Sequence, residues 1–349
     1  MQAAVLEAFG GAVTVQDVAE PDCPRDGVLI EVRACGICRS DHHAWKGVDP
    51  DVVLPHVMGH ELAGVIVETG PDCHAWRAGA RVTAPFILGC GTCGDCREGR
   101  ATACDHQDVI GFTQWGAFAE RVAVPHADFN LVALPDDLSF VAAAGMGCRV
   151  TTAWRALTDR ADLKPGEWLA IHGAGGFGLS AIRLGVALGA QVVAVDVNPE
   201  ALALAKAAGA NATVNAADLV GRGDVGEAVR AATDGGAHVS IDGLGITATF
   251  ENSLRSLRKL GRHVQVGMPV GPHATVPLPL LDLVYARQLT LHGMRGLAAN
   301  RFANLMGLVA GGRFDPGALV TGTCGMADVG GVLGEMDAGT LTGIVVMEG

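Results

Sequence analysis

The stretch Cys35-Gly36-Ile37-Cys38-Arg39-Ser40-Asp41-His42-His43 brings two thiols, a guanidinium, a hydroxyl, a carboxylate and two imidazoles together. Each of these groups can bind a metal, move a proton or hold a phosphate. Cys35 and Cys38 have the C-x2-C spacing of half a zinc site, which His42 or His43 can join. A zinc knot for stability and a catalytic metal loop both satisfy that pattern. Gly59-His60-Glu61 is weaker, because a buried histidine with a carboxylate partner is common in cores. Cys148, at the start of an apparent helix, reads by itself as a small buried hydrophobe.

A far more specific signal follows the opening stretch. Cys90, Cys93, Cys96 and Cys104 form a C-x2-C-x2-C-x7-C loop. Four thiolates from one short loop close a tetrahedral zinc site and leave no position for water or substrate. An iron–sulfur cluster is the competing occupant. Gly89, Gly91, Gly94 and Gly99 allow the tight backbone such a loop needs. A closed site of this kind is structural: it stabilises a segment with little apolar core of its own.

The third pattern lies at Gly173-Ala174-Gly175-Gly176-Phe177-Gly178. A G-x-G-x-x-G is weak alone in a glycine-rich chain. Here it follows the apolar strand Trp168 to His172 and opens a helical run from Leu179 to Leu188. Gln191 to Asp196 then forms the next strand, with an acid at its end. In that setting the glycines are a dinucleotide fingerprint. Gly173 permits the turn, Gly175 lets a pyrophosphate approach the helix N-terminus, and Gly178 lets helix and strand pack. Asp196 is expected to accept hydrogen bonds from the adenosine ribose. With no Lys or Arg at 197 to 200 to receive a 2′-phosphate, NAD is preferred over NADP.

The elements that must carry these groups change character along the chain. Up to about residue 150, short β-rich runs alternate with turn signals: Ala3 to Leu6, Val28 to Arg33 and Leu62 to Glu68. From about 151 to 295, β and α segments alternate, as a parallel doubly wound sheet requires. A helix is expected from Glu200 to Ala208 and another from Phe250 to Leu260. Two more helices, near Arg301 to Val309 and Asp328 to Met336, precede a final strand, Gly343 to Met347, which can return to the first domain. The domains are therefore expected at 1–150 with 296–349, and at 151–295. The chain has 349 residues, 49% hydrophobic and 18% charged, and a formal charge of −12. That balance argues against nucleic acid or an anionic membrane as partner. The Leu179 to Val195 stretch is interrupted and too short to span comfortably. Ten cysteines without an export signal point to metal ligands and free thiols in the cytoplasm.

The order of these motifs across the whole chain resembles the zinc-dependent medium-chain alcohol dehydrogenase family. The resemblance implies a mostly-β GroES-like catalytic domain and a doubly wound Rossmann cofactor domain, together α/β. It implies two zinc ions per chain. One is catalytic, on Cys38, His60 and Cys148 with an open fourth position; the other is structural, on Cys90, Cys93, Cys96 and Cys104. Cys35 then becomes a packing residue. Asp41 matches the carboxylate that orients His60, and Glu61 a carboxylate beside the site or an alternate ligand. Ser40 matches the hydroxyl that meets the substrate oxygen, and His43 the outer end of the proton relay. Arg39 matches a pyrophosphate contact. Thr152 and Val266 match positions near the nicotinamide, and Gly173, Gly175, Gly176, Phe177, Gly178 and Asp196 the rest of the NAD site. The implied reaction is reversible hydride transfer between a primary or secondary alcohol and NAD, giving aldehyde or ketone, in a homodimer or homotetramer.

The chain also departs from the family. A basic residue in the final segment often reaches the pyrophosphate; Leu341-Thr342-Gly343-Ile344 offers none. Competing readings are a polyol or sugar dehydrogenase in which Glu61 or water replaces Cys148, a zinc-free quinone or enoyl reductase, and a non-enzymatic dinucleotide-binding protein. Phe86, Ile87, Phe112, Trp115 and Met294 are candidates for an apolar pocket.

Overall fold

The computed structural model describes residues 1–349. The chain divides into two compact units, Met1–Thr151 with Gly296–Gly349, and Thr152–Arg295.

The first unit is organised around the strand Val28–Ile37. Its near-continuous apolar run is buried on both faces, as a central strand requires. It pairs antiparallel with Glu61–Thr69, with Arg121–Val124 and with Ile344–Glu348. The strand that closes the sequence thus completes the sheet begun by its first segment. At Ile37 the strand ends and Cys38 starts the helix Arg39–Lys46. The Asp41 carboxylate reaches back to the Cys38 backbone N–H at 2.8 Å, satisfying a donor that the helix start would leave orphaned. Gly47, at φ 70°, ends the helix in a left-handed turn.

This unit is less purely β than the sequence suggests. Helix runs from Phe140 to Arg155, broken at Gly147 (φ −18°, ψ −126°). The break separates two helical segments, and Cys148 opens the second, as its place in the sequence suggests. Ala142 to Met146 are all buried, so no amphipathic period announces the preceding turns.

The second unit is a six-stranded parallel sheet. Its strands lie in the order Ala212–Asn215, Gln191–Asp196, Trp168–His172, Ala237–Asp242, Leu257–Gln265, Thr290–Gly293. Sequence runs outward in both directions from Trp168–His172, which is the doubly wound pattern. The helix expected over Phe250 to Leu260 instead spans Thr247–Ser256, and strand begins at Leu257. Leu-Arg-Lys-Leu has ample helix propensity, but parallel pairing of Leu257 with Ala237 and Arg262 with Val239 overrides it. Leu260 takes φ 63° within that strand. No helix is long and apolar enough to cross a membrane.

Candidate active site

Three separate elements of the first unit deliver one ligand set. Cys38 caps the helix Arg39–Lys46, His60 immediately precedes the strand Glu61–Thr69, and Cys148 follows the Gly147 break. Ligand atoms of Cys38, His60, Glu61 and Cys148 all lie within 4.8 Å of one another. His60 is wholly buried, and its Nδ1 meets Asp41 Oδ1 at 2.9 Å. With a carboxylate as partner, Nδ1 carries the proton and Nε2 presents a lone pair. That Nε2 is buried without any hydrogen-bond partner. A buried ring nitrogen without a hydrogen-bond partner, set beside two sulfurs, fits a donor role toward a divalent cation. Asp41 is itself fixed by the N–H groups of Cys38 and Gly59, so the support of the ligand histidine is rigid.

Electrostatics agree with this donor set. The bond from the Cys148 thiol holds Cys38 well below the usual thiol range, and the same shared proton and burial push Cys148 well above it. Two adjacent sulfurs of which one is readily deprotonated suit a divalent cation, which binds thiolate. Burial alone disfavours charge on His60, but Asp41 and Cys38 outweigh it and raise its pKa well above the ordinary value. Burial raises Glu61 to about 7 against the pull of Arg149. Arg149 was not foreseen from the sequence. It is buried and donates to Glu61 through its backbone N–H and Nε, both at 3.2 Å, and through Nη2. The available signal was a charged residue in an otherwise apolar run, which burial allows only with a partner.

The surrounding residues are placed as follows. Ser40 Oγ lies 4.0 Å from Cys38 Sγ. His43 is half-buried, and burial followed by the neighbouring His42 lowers its pKa. Arg39 donates to the Met336 carbonyl at 3.1 Å, at the end of a helix. Cys35 is fully buried in the core and outside the ligand set. Phe86 and Phe112 pack their ring edges on His60, with centroids 5.6 and 5.3 Å away. Ile87 is a core residue, and Trp115 is 40% exposed with Nε1 bonded to the Pro55 carbonyl.

The second ligand set is Cys90, Cys93, Cys96 and Cys104. Cys90 and Cys96 sulfurs are 4.0 Å apart, and those of Cys93 and Cys104 are 3.7 Å apart. A tetrahedron with Zn–S of about 2.3 Å has an edge of about 3.8 Å, which these two edges match. Backbone N–H groups of Cys93, Cys96 and His106 point at sulfurs at 3.3 to 3.4 Å. Such donors favour thiolate. Hydrogen bonds from Thr92 and Cys93 bring Cys90 down to about 5, while burial lifts Cys96 to about 12.

In the second unit, Gly173 turns at φ 99°. A Cβ at Gly178 would overlap the Gly173 carbonyl, so the helix can start there only with glycine. The helix Gly176–Ala187 takes in Gly176, Phe177 and Gly178, and thus starts earlier than the apolar pattern indicates. Gly175 is its cap, with open space where a Cβ would stand. Asp196 accepts from Ala174 N–H at 2.7 Å, tying the acid to the glycine turn, and from Val197 and Asn198. Thr152 is buried with an unpartnered hydroxyl. Val266 donates to the Asp242 carbonyl, and the Asp242 carboxylate gathers Leu244, Gly245, Thr249 and Gln265. Asp242 was also missed by sequence reasoning; it braces the loops at the carboxyl ends of two strands.

Residues 24–136 match the family model of the alcohol dehydrogenase GroES-like domain, and 176–311 that of the zinc-binding dehydrogenases. An alcohol dehydrogenase of Geobacillus stearothermophilus is 37% identical over 286 residues, covering 81% of this chain and 82% of that protein. The chain belongs to the zinc-dependent medium-chain alcohol dehydrogenases. It is therefore an oxidoreductase built from a GroES-like and a Rossmann-type domain. Among solved structures of this family, alcohol dehydrogenase TADH from Thermus sp. ATN1 superposes with a TM-score of 0.90 at 30% identity, covering 100% of this chain and 99% of that one. A structure described as an NAD-dependent alcohol dehydrogenase gives 0.88 at 28% identity, with all of both chains covered.

Proposed function

We propose that this dehydrogenase interconverts primary or secondary alcohols with aldehydes or ketones, using NAD as hydride acceptor and one zinc at each ligand set. The carrying observation is the buried, partnerless His60 Nε2 facing the Cys38 and Cys148 sulfurs. Three N/S donors plus an open position suit a catalytic zinc. When bound, zinc supplies Lewis acidity toward an alcohol oxygen and NAD accepts the hydride.

The chain's own residues carry the remaining work. Asp41 keeps His60 in the ligand tautomer. The Ser40 hydroxyl would accept the substrate's hydroxyl proton while passing its own on, through the cofactor's ribose hydroxyl, to His43, which burial keeps neutral and which releases it to solvent. Gly173, Gly175, Gly176, Phe177 and Gly178 present backbone N–H groups to pyrophosphate, with Arg39 as the added cation. Asp196 receives the ribose hydroxyls and repels a 2′-phosphate; Thr152 and Val266 border the nicotinamide. Residues 1–150 and 296–349 form the catalytic domain and 151–295 the NAD domain, in a cytoplasmic homodimer or homotetramer.

Metal analysis joined to a substrate screen tests this reading. Two zinc ions per chain and NAD-linked oxidation of simple alcohols are expected. One zinc, or equal rates with NADP, would overturn the corresponding part.

A further inference from the structure

Glu61 and Arg149 are two buried charges set against the ligand trio. Glu61 is fully buried and Arg149 is 5% exposed. Oε1 of Glu61 accepts from the Arg149 backbone N–H and Nε, and Oε2 accepts from Nη2. Both carboxylate oxygens are thus held by one residue in a fork geometry. The fold makes room for the pair with glycine. A Cβ at Gly36 would overlap Glu61 Oε2 and stand 3.0 Å from Arg149 Nη2, and one at Gly147 would overlap the Glu61 side chain. The Gly147 break also sets Cys148 and Arg149 next to each other on the approach to Glu61.

The carboxylate has an alternative partner. One of its oxygens lies within 4.8 Å of the Cys38, His60 and Cys148 donor atoms. A hard, anionic oxygen at that distance would complete a four-coordinate cation and fill the position that substrate needs. A buried carboxylate stripped of its guanidinium is left uncompensated, and the nearest positive charge is then the metal.

We infer that Arg149 is a positioning residue that holds the Glu61 carboxylate off the catalytic metal and so keeps the open coordination position free. This rests on the metal reading of Cys38, His60 and Cys148 given above. It assigns Glu61 to a state in which it is not a ligand while Arg149 is present.

The test is optical, on the full chain with cobalt(II) in place of zinc. The wild-type d–d bands are expected to shift when imidazole, a small external ligand, is added. The four-thiolate site has no open position and contributes a constant background. In Arg149→Met the imidazole response is expected to weaken by about tenfold or more in apparent affinity, the scale of effects seen when groups supporting a metal site are changed. In Arg149→Met/Glu61→Gln the competitor is removed along with its guard, and the response is expected to return. Should Arg149→Met not fold, Arg149→Gln, neutral but of similar reach, is read in the same way. A wild-type imidazole affinity in the single variant would overturn the inference. So would a double variant as unresponsive as the single one, since the loss would then come from packing. A wild-type cobalt spectrum that does not respond to imidazole would overturn the metal reading first, and the inference with it.

Discussion

The unit of residues 1–151 and 296–349 and the unit of 152–295 prepare for a charged partner in opposite ways. In the first, side chains converge and leave donor atoms unsatisfied: His60 Nε2 has no hydrogen-bond partner and sits within 4.8 Å of the Cys38 and Cys148 sulfurs. In the second, several buried side chains pair with one another, although His172 Nδ1, Thr152 Oγ1 and Arg160 Nε have no hydrogen-bond partner. His172 Nε2 meets Ser256, His263 meets Ser253 and Gln265, and Asp242 gathers its own loop. What that unit offers a ligand is backbone, at a turn emptied of side chains by glycine. The contrast separates binding by stored deficiency from binding by vacant space. Removing a residue from the first kind of site destroys it, whereas adding an atom destroys the second.

The largest effect is expected at the deficient site. His60→Ala should lower kcat by about 10³-fold or more, because Lewis-acid stabilisation is worth several kcal/mol. Steady-state alcohol oxidation with matched circular dichroism checks it, and retained turnover would break the comparison. Cys96→Ala removes a ligand from the closed set instead. Zinc content should fall by one per chain and Tm by about 10 °C; calorimetry showing an unchanged Tm would mean the loop holds itself together without metal.

At the vacant-space site the effects are smaller. Asp196→Ala should cut the preference for NAD over NADP by about tenfold or more, the worth of a charged hydrogen bond. Ratios of kcat/KM for the two cofactors decide this, and an unchanged ratio would mean another group reads the ribose.

Acid acts on the second unit through its buried histidines. Burial depresses His172 from 6.5 to about 3 and His263 to about 4. Above pH 6.5 neither folded nor unfolded chain protonates them, so their contribution to stability is complete. Below 6.5 the unfolded chain takes up protons that the folded one refuses, and stability falls until pH drops past about 4 for His263 and about 3 for His172. The slope is about 1.4 kcal/mol per pH unit for each histidine. Urea unfolding at pH 7, 6 and 5 should show it, and His263→Gln should lessen it. A pH-independent midpoint would contradict the burial of neutral His172 and His263 in this unit.

The two units were also unequally legible. The glycine turn, its flanking strands and Asp196 are contiguous, so spacing alone exposed them. The four-thiol loop was equally plain, being a single short segment. Cys38, His60 and Cys148 come from three distant segments, and only the resemblance joined them; no local pattern could. Arg149 and the Gly147 break stayed hidden because a helix buried all round carries no period. The strand Leu257–Gln265 was obscured for the complementary reason, since its pairing partners lie outside any sequence window. Trp115, offered as a pocket residue, is exposed because its indole nitrogen is tied to Pro55 rather than turned inward.

The pairing of Ile344–Glu348 with Val28–Ile37 has a bearing on how the protein is made. The nucleotide unit is one continuous stretch and can close as soon as it leaves the ribosome. The metal unit cannot: at typical elongation speeds its central strand waits on the order of tens of seconds for this C-terminal partner. During that interval Cys38 hangs from a sheet still open on one side. Metal loading of the first half of the trio thus falls in the hands of whatever guards nascent thiols in the cell, and a shortened C-terminal strand should be felt first as poor zinc incorporation.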